Sequence, residues 1–197
     1  MFPPDDVEIL TGLPEHLRQQ AAEIYYDAFK GKMAALKARR EQLVAVLADG
    51  FCTDLALAAV KGGELLGIAG LQYGRRRFSG ARLQKCIEQL GGVKGTLFWL
   101  FFRLFESTVG EDELMIESLA ISPAMRGMGA GSRLIEYIVG MAKEKGFRAV
   151  TLEVVDTNPD ARRLYERLGF EAVKTTRLPW LRHLKGFSAW TRMVRRV

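Results

Sequence analysis

The 197-residue sequence predicts an α/β fold in which helices cover both faces of a β-sheet. Strand-like and helix-like periodicities alternate through the second half of the chain. The composition, 48% hydrophobic and 26% charged, is that of a chain that buries a core, and it excludes disordered and collagen-like classes. No repeat, low-complexity linker or long charge block divides the chain. Residues 1–197 therefore read as one domain carrying one insertion at about 75–110.

The elements follow in order. After a short strand over 7–10, Pro14 opens a helix whose Leu17, Ala21, Ile24 and Ala28 share one face, and Gly31 is expected to interrupt it. A second helical stretch, with Leu36, Leu43 and Leu47 inward, ends at Gly50. Residues 55–60, the Gly62-Gly63 turn and residues 64–73 form a β-hairpin pattern. The insertion breaks this rhythm. Its 82–90 segment is helix-compatible, and 97–105 (LFWLFFRLF) is apolar nearly all round, which predicts a buried helix. Next come a strand over 113–121, a glycine-rich turn, and a helix with Leu134, Ile135, Ile138 and Met141 on one face. A β-branched strand over 148–155, a short helix from Asn158-Pro159 to Gly169-Phe170, and strands over 171–176 and 187–194 complete the series.

Several function classes drop out. Cys52 and Cys86 match no zinc or redox spacing and His16 and His183 lie far apart, so no metal is expected. The acidic start, MFPPDDVEIL, is unlike a secretory signal, which makes the cytoplasm the expected compartment. The nine residues 97–105 include Arg103 and fall far short of the roughly 20 needed to cross a bilayer. The formal charge of +6 suits a phosphate-rich ligand, a nucleic acid or anionic lipid without choosing among them, and a solvated surface equally well.

The turn after the 113–121 strand reads Ser122-Pro-Ala-Met-Arg126-Gly127-Met128-Gly129-Ala130-Gly131-Ser132. Its glycines let consecutive backbone N–H groups approach an anion, and the helix N-terminus adds its positive dipole end, so a phosphate is the natural guest. No Gly-Lys-Ser/Thr follows, and Ser132 and Leu134 occupy the closing positions of G-x-G-x-x-G, so neither a P-loop nor a dinucleotide fingerprint is present. A plain left-handed link between strand and helix would use the same glycines.

Arg126-x-x-Gly129-x-Gly131 follows Leu119-Ala120-Ile121. Some 27 residues after Gly131 come Asn158, Ala161, Leu164-Tyr165-Glu166 and Gly169-Phe170. In order, spacing and residue type this stretch, 117–170, resembles the GNAT superfamily of N-acetyltransferases. The resemblance implies a mixed, mostly antiparallel sheet of about seven strands with a splayed parallel pair and helices on both faces; the extra helical insertion before the fourth strand departs from the compact family pattern. It implies acetyl-coenzyme A as co-substrate. The backbone at Leu119, Ala120 and Ile121 would meet the pantetheine arm, and Arg126, Gly127, Met128, Gly129, Ala130, Gly131 and Ser132 would hold the pyrophosphate. Physically, an amide-rich arm can extend a sheet edge while the pyrophosphate takes the helix end.

Asn158 is read either as an N-cap before Pro159, which alone would explain an Asn there, or as a cofactor contact. Tyr165 lies on the apolar side of its short helix with Ala161 and Leu168, as a core tyrosine would, while the resemblance implies a hydroxyl that protonates the leaving thiolate. Glu117, two residues before Leu119, is expected to share a face with Met115 and Leu119, and burial there is expected to raise its pKa toward that of a useful base for the acceptor ammonium. Orienting the substrate, or pairing with a surface cation while water carries the proton, is its other reading. Ser118 and Cys52 lack the base and orienting group that a covalent route needs, so direct attack in a ternary complex is expected, with the Leu119 N–H meeting the oxyanion.

The expected activity is acetyl transfer to a primary amine of a small molecule or peptide. The alternative is a non-catalytic acyl-coenzyme A binding or sensing domain. Arg75-Arg76-Arg77 and the Arg192, Arg195 and Arg196 tail match no nucleic-acid motif, so no nucleic-acid partner is expected. The insertion is read as an apolar wall beside the acceptor favouring a hydrophobic or aromatic amine, or else as core extension or a homodimer contact, with membrane contact ranked last.

Overall fold

The computed structural model describes residues 7–33, 37–103, 108–178 and 186–197. Leu36, Leu104, Phe105, the side chains of Phe101 and Phe102, and all of the 178–186 loop but its two ends fall outside these.

Strands β1 (Glu8–Thr11), β2 (Ala56–Lys61), β3 (Glu64–Tyr73), β5 (Glu113–Ile121), β6 (Ala149–Val155), β7 (Glu171–Arg177) and β8 (Ala189–Arg196) form one sheet in the order β1-β2-β3-β5-β6-β8-β7. The two-residue β4 (Arg76–Arg77) pairs with β3 off this path. All pairings are antiparallel except β5 with β6. The mixed sheet with one parallel pair is as expected.

Two apolar clusters sandwich it. On one face, α1 (Arg18–Met33), α2 (Arg40–Gly50), α3 (Leu83–Leu90) and α4 (Gly92–Arg103) contribute Ala21, Ile24, Leu43, Leu47, Cys86 and Phe98. On the other, α5 (Ala130–Glu144) contributes Leu134, Ile135 and Ile138, and α6 (Pro159–Arg167) adds Leu164 and Tyr165 at the margin. The i, i+4, i+7 pattern from Leu17 to Ile24 points inward as its spacing requires.

Three expectations change. α1 runs through Gly31 to Met33, because the buried Met33 anchors the last turn and offsets the roughly 1 kcal/mol a helical glycine costs. The 97–105 run does not make a helix buried all round. In α4, Phe98 is fully buried, but Val93, Leu97 and Leu100, at i, i+4 and i+7, stand 77%, 58% and 45% exposed on the opposite stripe. Packing on α3 demands only one narrow face, where a Cβ on Gly95 would come 2.5 Å from the Cys86 carbonyl oxygen. The third change concerns Glu117.

A bulge interrupts the β3–β5 ladder: Gly70 pairs with Ser118 and Leu71 with Ile116, leaving Glu117 as the extra residue. Leu114 and Ile116 before it, and Leu119 and Ile121 after it, all contact the α5-side cluster, so side-chain parity flips at the bulge. Glu117 therefore does not share a face with Leu119. Its contacts lie with Phe78 and Ser79 on the α1 side.

Candidate functional site

The parallel ladder between β5 and β6 runs only from Glu113↔Ala149 to Ile116↔Leu152. Beyond it both strands continue, to Ile121 and Val155, without pairing to each other. β5 stays bonded to β3 and β6 to β8 on their outer sides, so the parallel strands diverge into a wedge. The wedge opens into a cleft of about 360 Å³. Glu117, Ser118 and Leu119 line it from β5, Glu153 and Val155 from β6, Asn158 and Tyr165 from α6, Phe29 from α1, and Phe187 from the segment before β8. Among the described residues, Phe29 and Phe187 are the aromatic side chains beside Tyr165 in its lining, and none comes from α3 or α4; Phe101 and Phe102 of the insertion have side chains outside the described ones.

At the end of β5 the chain passes through a 3-10 turn, Pro123–Met125, into the glycine turn. Gly127 and Gly129 take φ of +78° and +84°, and a Cβ at either would meet nothing within 4 Å. Backbone conformation, not crowding, is what requires glycine there. Gly129 is the N-cap of α5 and provides no capping side chain. The backbone N–H groups from Arg126 to Ser132 find no hydrogen-bond acceptor among the described residues. A run of exposed donors at the positive end of a 15-residue helix is an anion cradle, and a diphosphate has the charge and the acceptor oxygens to fill it.

Asn158 is the N-cap of α6, its Oδ1 accepting from the Ala161 N–H at 3.2 Å, and it also lines the cleft. Cap and cleft positions coincide in one residue. Tyr165 packs against the α5-side cluster, its ring 6.1 Å from that of Phe170, and lines the same cleft. Burial pushes its phenol up to about 12, so the hydroxyl stays protonated across the physiological range. That hydroxyl has no partner among the described residues.

Glu117 is 9% exposed and held by four donors. The Phe78 N–H (2.9 Å) and Ser79 N–H (3.2 Å) donate to Oε2, and Arg77 (3.1 Å) and the Ser79 hydroxyl donate to Oε1. Tyr25 of α1 faces the same carboxylate; burial first, and the Glu117 charge second, push its phenol far above the ordinary tyrosine value. Sequence reasoning missed Arg77, Ser79 and Tyr25. The polar Arg77 and Ser79 flanking a fully buried Phe78 were the one local signal.

The structure thus brings Glu117, Leu119, Asn158 and Tyr165 to one cleft, with the 126–132 turn beyond the end of the same β5 strand. Among the described residues no group of three or more His, Cys, Asp or Glu could hold a metal ion, and no helix is long and apolar enough to cross a membrane.

Comparison with known proteins bears on this arrangement. The chain is 34% identical over 77 residues to the "Probable N-acetyltransferase camello" of Xenopus tropicalis, covering 39% of this chain and 35% of that protein. It is 40% identical over 62 residues to the ribosomal protein bS18 alanine N-acetyltransferase of Haemophilus influenzae, covering 32% and 42%. The matches therefore span less than half the length of these relatives. Among solved structures, "The crystal structure of acetyltransferase" superposes with a TM-score of 0.65 at 24% identity, covering 96% of this chain and 99% of that one. A GCN5-related N-acetyltransferase from Kribbella flavida gives 0.62 at 17% identity, covering 99% and 100%. Both share the fold. A family model described as the acetyltransferase (GNAT) family matches residues 15–170, more than half of the sequence, and on that match the chain belongs to the acetyltransferase (GNAT) family.

Proposed function

We propose that the protein transfers an acetyl group from acetyl-coenzyme A to a primary amine by direct attack in a ternary complex. The observation that carries this reading is the run of unpartnered N–H groups at 126–132, set beyond the splayed end of β5 so that one extended ligand could meet both. Arg126, Gly127, Met128, Gly129, Ala130, Gly131 and Ser132 take the pyrophosphate. The edge of β5 at Leu119, Ala120 and Ile121, which has no ladder to β6, takes the pantetheine amides as an added strand. Asn158, its Oδ1 engaged in the cap, has an amide NH₂ left for the cofactor.

The chemistry then falls to three groups. A protonated amine cannot attack, and Glu117, the carboxylate in the cleft beside Leu119, attracts the ammonium and receives its proton, directly or through water. The strand N–H of Leu119 meets the oxyanion formed on attack. Tyr165, kept neutral by burial, gives its proton to the departing thiolate. Phe29 and Phe187 flank the cleft and favour an amine with an apolar or aromatic body.

The test is release of free thiol from acetyl-coenzyme A in the presence of benzylamine, spermidine, Nα-acetyl-lysine and an alanyl peptide. The expected result is amine-dependent release, fastest with benzylamine. Tight binding of acetyl-coenzyme A without release with any amine would contradict transfer and support the non-catalytic acyl-coenzyme A binding domain.

A further inference from the structure

The insertion opens with a strap, residues 74–80, that runs beside Glu117 before α3 begins. Its anchoring is unusually complete. The Phe78 N–H is shared between the Glu117 carboxylate and the Leu71 carbonyl (2.9 Å to each), its carbonyl accepts from the Cys52 N–H (2.8 Å), and the Gly80 N–H donates to the Gly50 carbonyl (3.1 Å). The Phe78 ring is fully buried and stacks on Phe51 at 4.4 Å. Close approach is enforced on both sides: a Cβ at Gly50 would come 2.0 Å from the Gly80 carbonyl oxygen, and one at Gly70 would come 2.1 Å from the Phe78 ring. The strap cannot shift without disturbing the core.

From this fixed position it presents the four donors already described to one carboxylate. The two backbone N–H groups are immobile and Arg77 is permanently charged. The Ser79 hydroxyl is different: it is a rotor that can donate to the carboxylate or turn to accept from its protonated form. We infer that Arg77 and Ser79 are positioning residues for Glu117, holding its carboxylate in the cleft at the β5 bulge and exchanging hydrogen-bond direction with it when it takes up a proton. The inference rests on the reading of Glu117 as the acceptor's base, and it gives the start of the insertion a role in the reaction. Among the described residues, the charged and titratable groups around Glu117 are Arg77 from β4, Tyr25 from α1 and, lining the same cleft, Glu153 from β6 and Tyr165 from α6.

The experiment compares Glu117→Gln, Ser79→Ala, Arg77→Gln and Arg77→Lys, using the panel amine with the highest turnover, while acetyl-coenzyme A affinity is followed by calorimetry. Ser79→Ala and Arg77→Gln are each expected to lower kcat/KM for the amine about tenfold, through loss of a charge-assisted hydrogen bond, with acetyl-coenzyme A affinity unchanged. Arg77→Lys, which keeps the charge beside Glu117, is expected to recover most of the kcat/KM lost in Arg77→Gln. Arg77 lies partly at the surface, so its variants test the idea even if Ser79→Ala folds poorly. Values for both substitutions within about twofold of wild type, with Glu117→Gln impaired, would overturn the positioning role alone. Full turnover by Glu117→Gln would instead overturn the reading of Glu117 itself.

Discussion

Asn158 Oδ1 accepts from the Ala161 N–H at 3.2 Å, closing the first turn of α6 on the rim of the cleft that Asn158 also lines. Pro159 at the first helical position has no N–H to satisfy, so this bond and that of the Arg162 N–H to the Asn158 carbonyl (3.3 Å) hold the helix start. Asn158→Ala is expected to cost about 1 kcal/mol, the usual value of a lost N-cap. Asn158→Asp should keep the cap while removing the free NH₂. Chemical denaturation and acetyl-coenzyme A titration together separate the two roles: Asp should match wild type in stability and bind less tightly, and equal binding by both would limit Asn158 to the cap.

Gly129→Val tests the anion cradle. At φ +84° a β-branched residue costs roughly 1–2 kcal/mol, and its side chain projects where nothing in the protein stands. Gly62→Val is the control, since Gly62 has φ +56° and is equally uncrowded but lies in the β2–β3 turn. Both should lower Tm slightly, and Gly129→Val alone should lose acetyl-coenzyme A binding by calorimetry.

Tyr165→Phe removes a hydroxyl with no partner among the described residues while keeping the ring beside Phe170. Stability should therefore change little, and kcat should fall about 10²-fold, the usual range for general-acid help, with acetyl-coenzyme A affinity retained. An unstable variant whose folded fraction is fully active would make Tyr165 a packing residue.

Alkaline stability follows from the buried phenols. Tyr165 is pushed up to about 12 by burial and Tyr25 is raised as well, whereas an unfolded tyrosine titrates near 10. Between those values the unfolded chain has lost protons that the folded one retains, so stability is constant below about pH 10 and falls as pH rises toward 12. The urea midpoint should drop between about pH 10 and 12, and drop less in Tyr165→Phe.

Much of this was legible in the sequence for local reasons. The 3.6-residue period of Leu134, Ile135 and Ile138, the glycines before it and the Asn-Pro start of α6 each report on one element, and each element formed where its signal stood. What was not legible depends on how distant segments meet. The bulge at Glu117 arises from the register between β3 and β5, and strict alternation along β5 hides it. The partners of Glu117 come from residues 38 to 40 positions earlier in the chain, so no local pattern joined them to it. The apolar run of α4 misled because hydrophobicity reports the preference for burial, while Val93, Leu97 and Leu100 found nothing among the described residues to bury them.

The central claim is that one ligand spans the 126–132 turn and the wedge between β5 and β6. A crystal structure with acetyl-coenzyme A bound tests it most directly. The account predicts the pyrophosphate on the N–H groups of 126–132, the pantetheine along Leu119–Ile121, the thioester oxygen at the Leu119 N–H, and the sulfur within hydrogen-bond reach of the Tyr165 hydroxyl. A cofactor bound elsewhere, or one whose thioester lies away from both Glu117 and Tyr165, would contradict it.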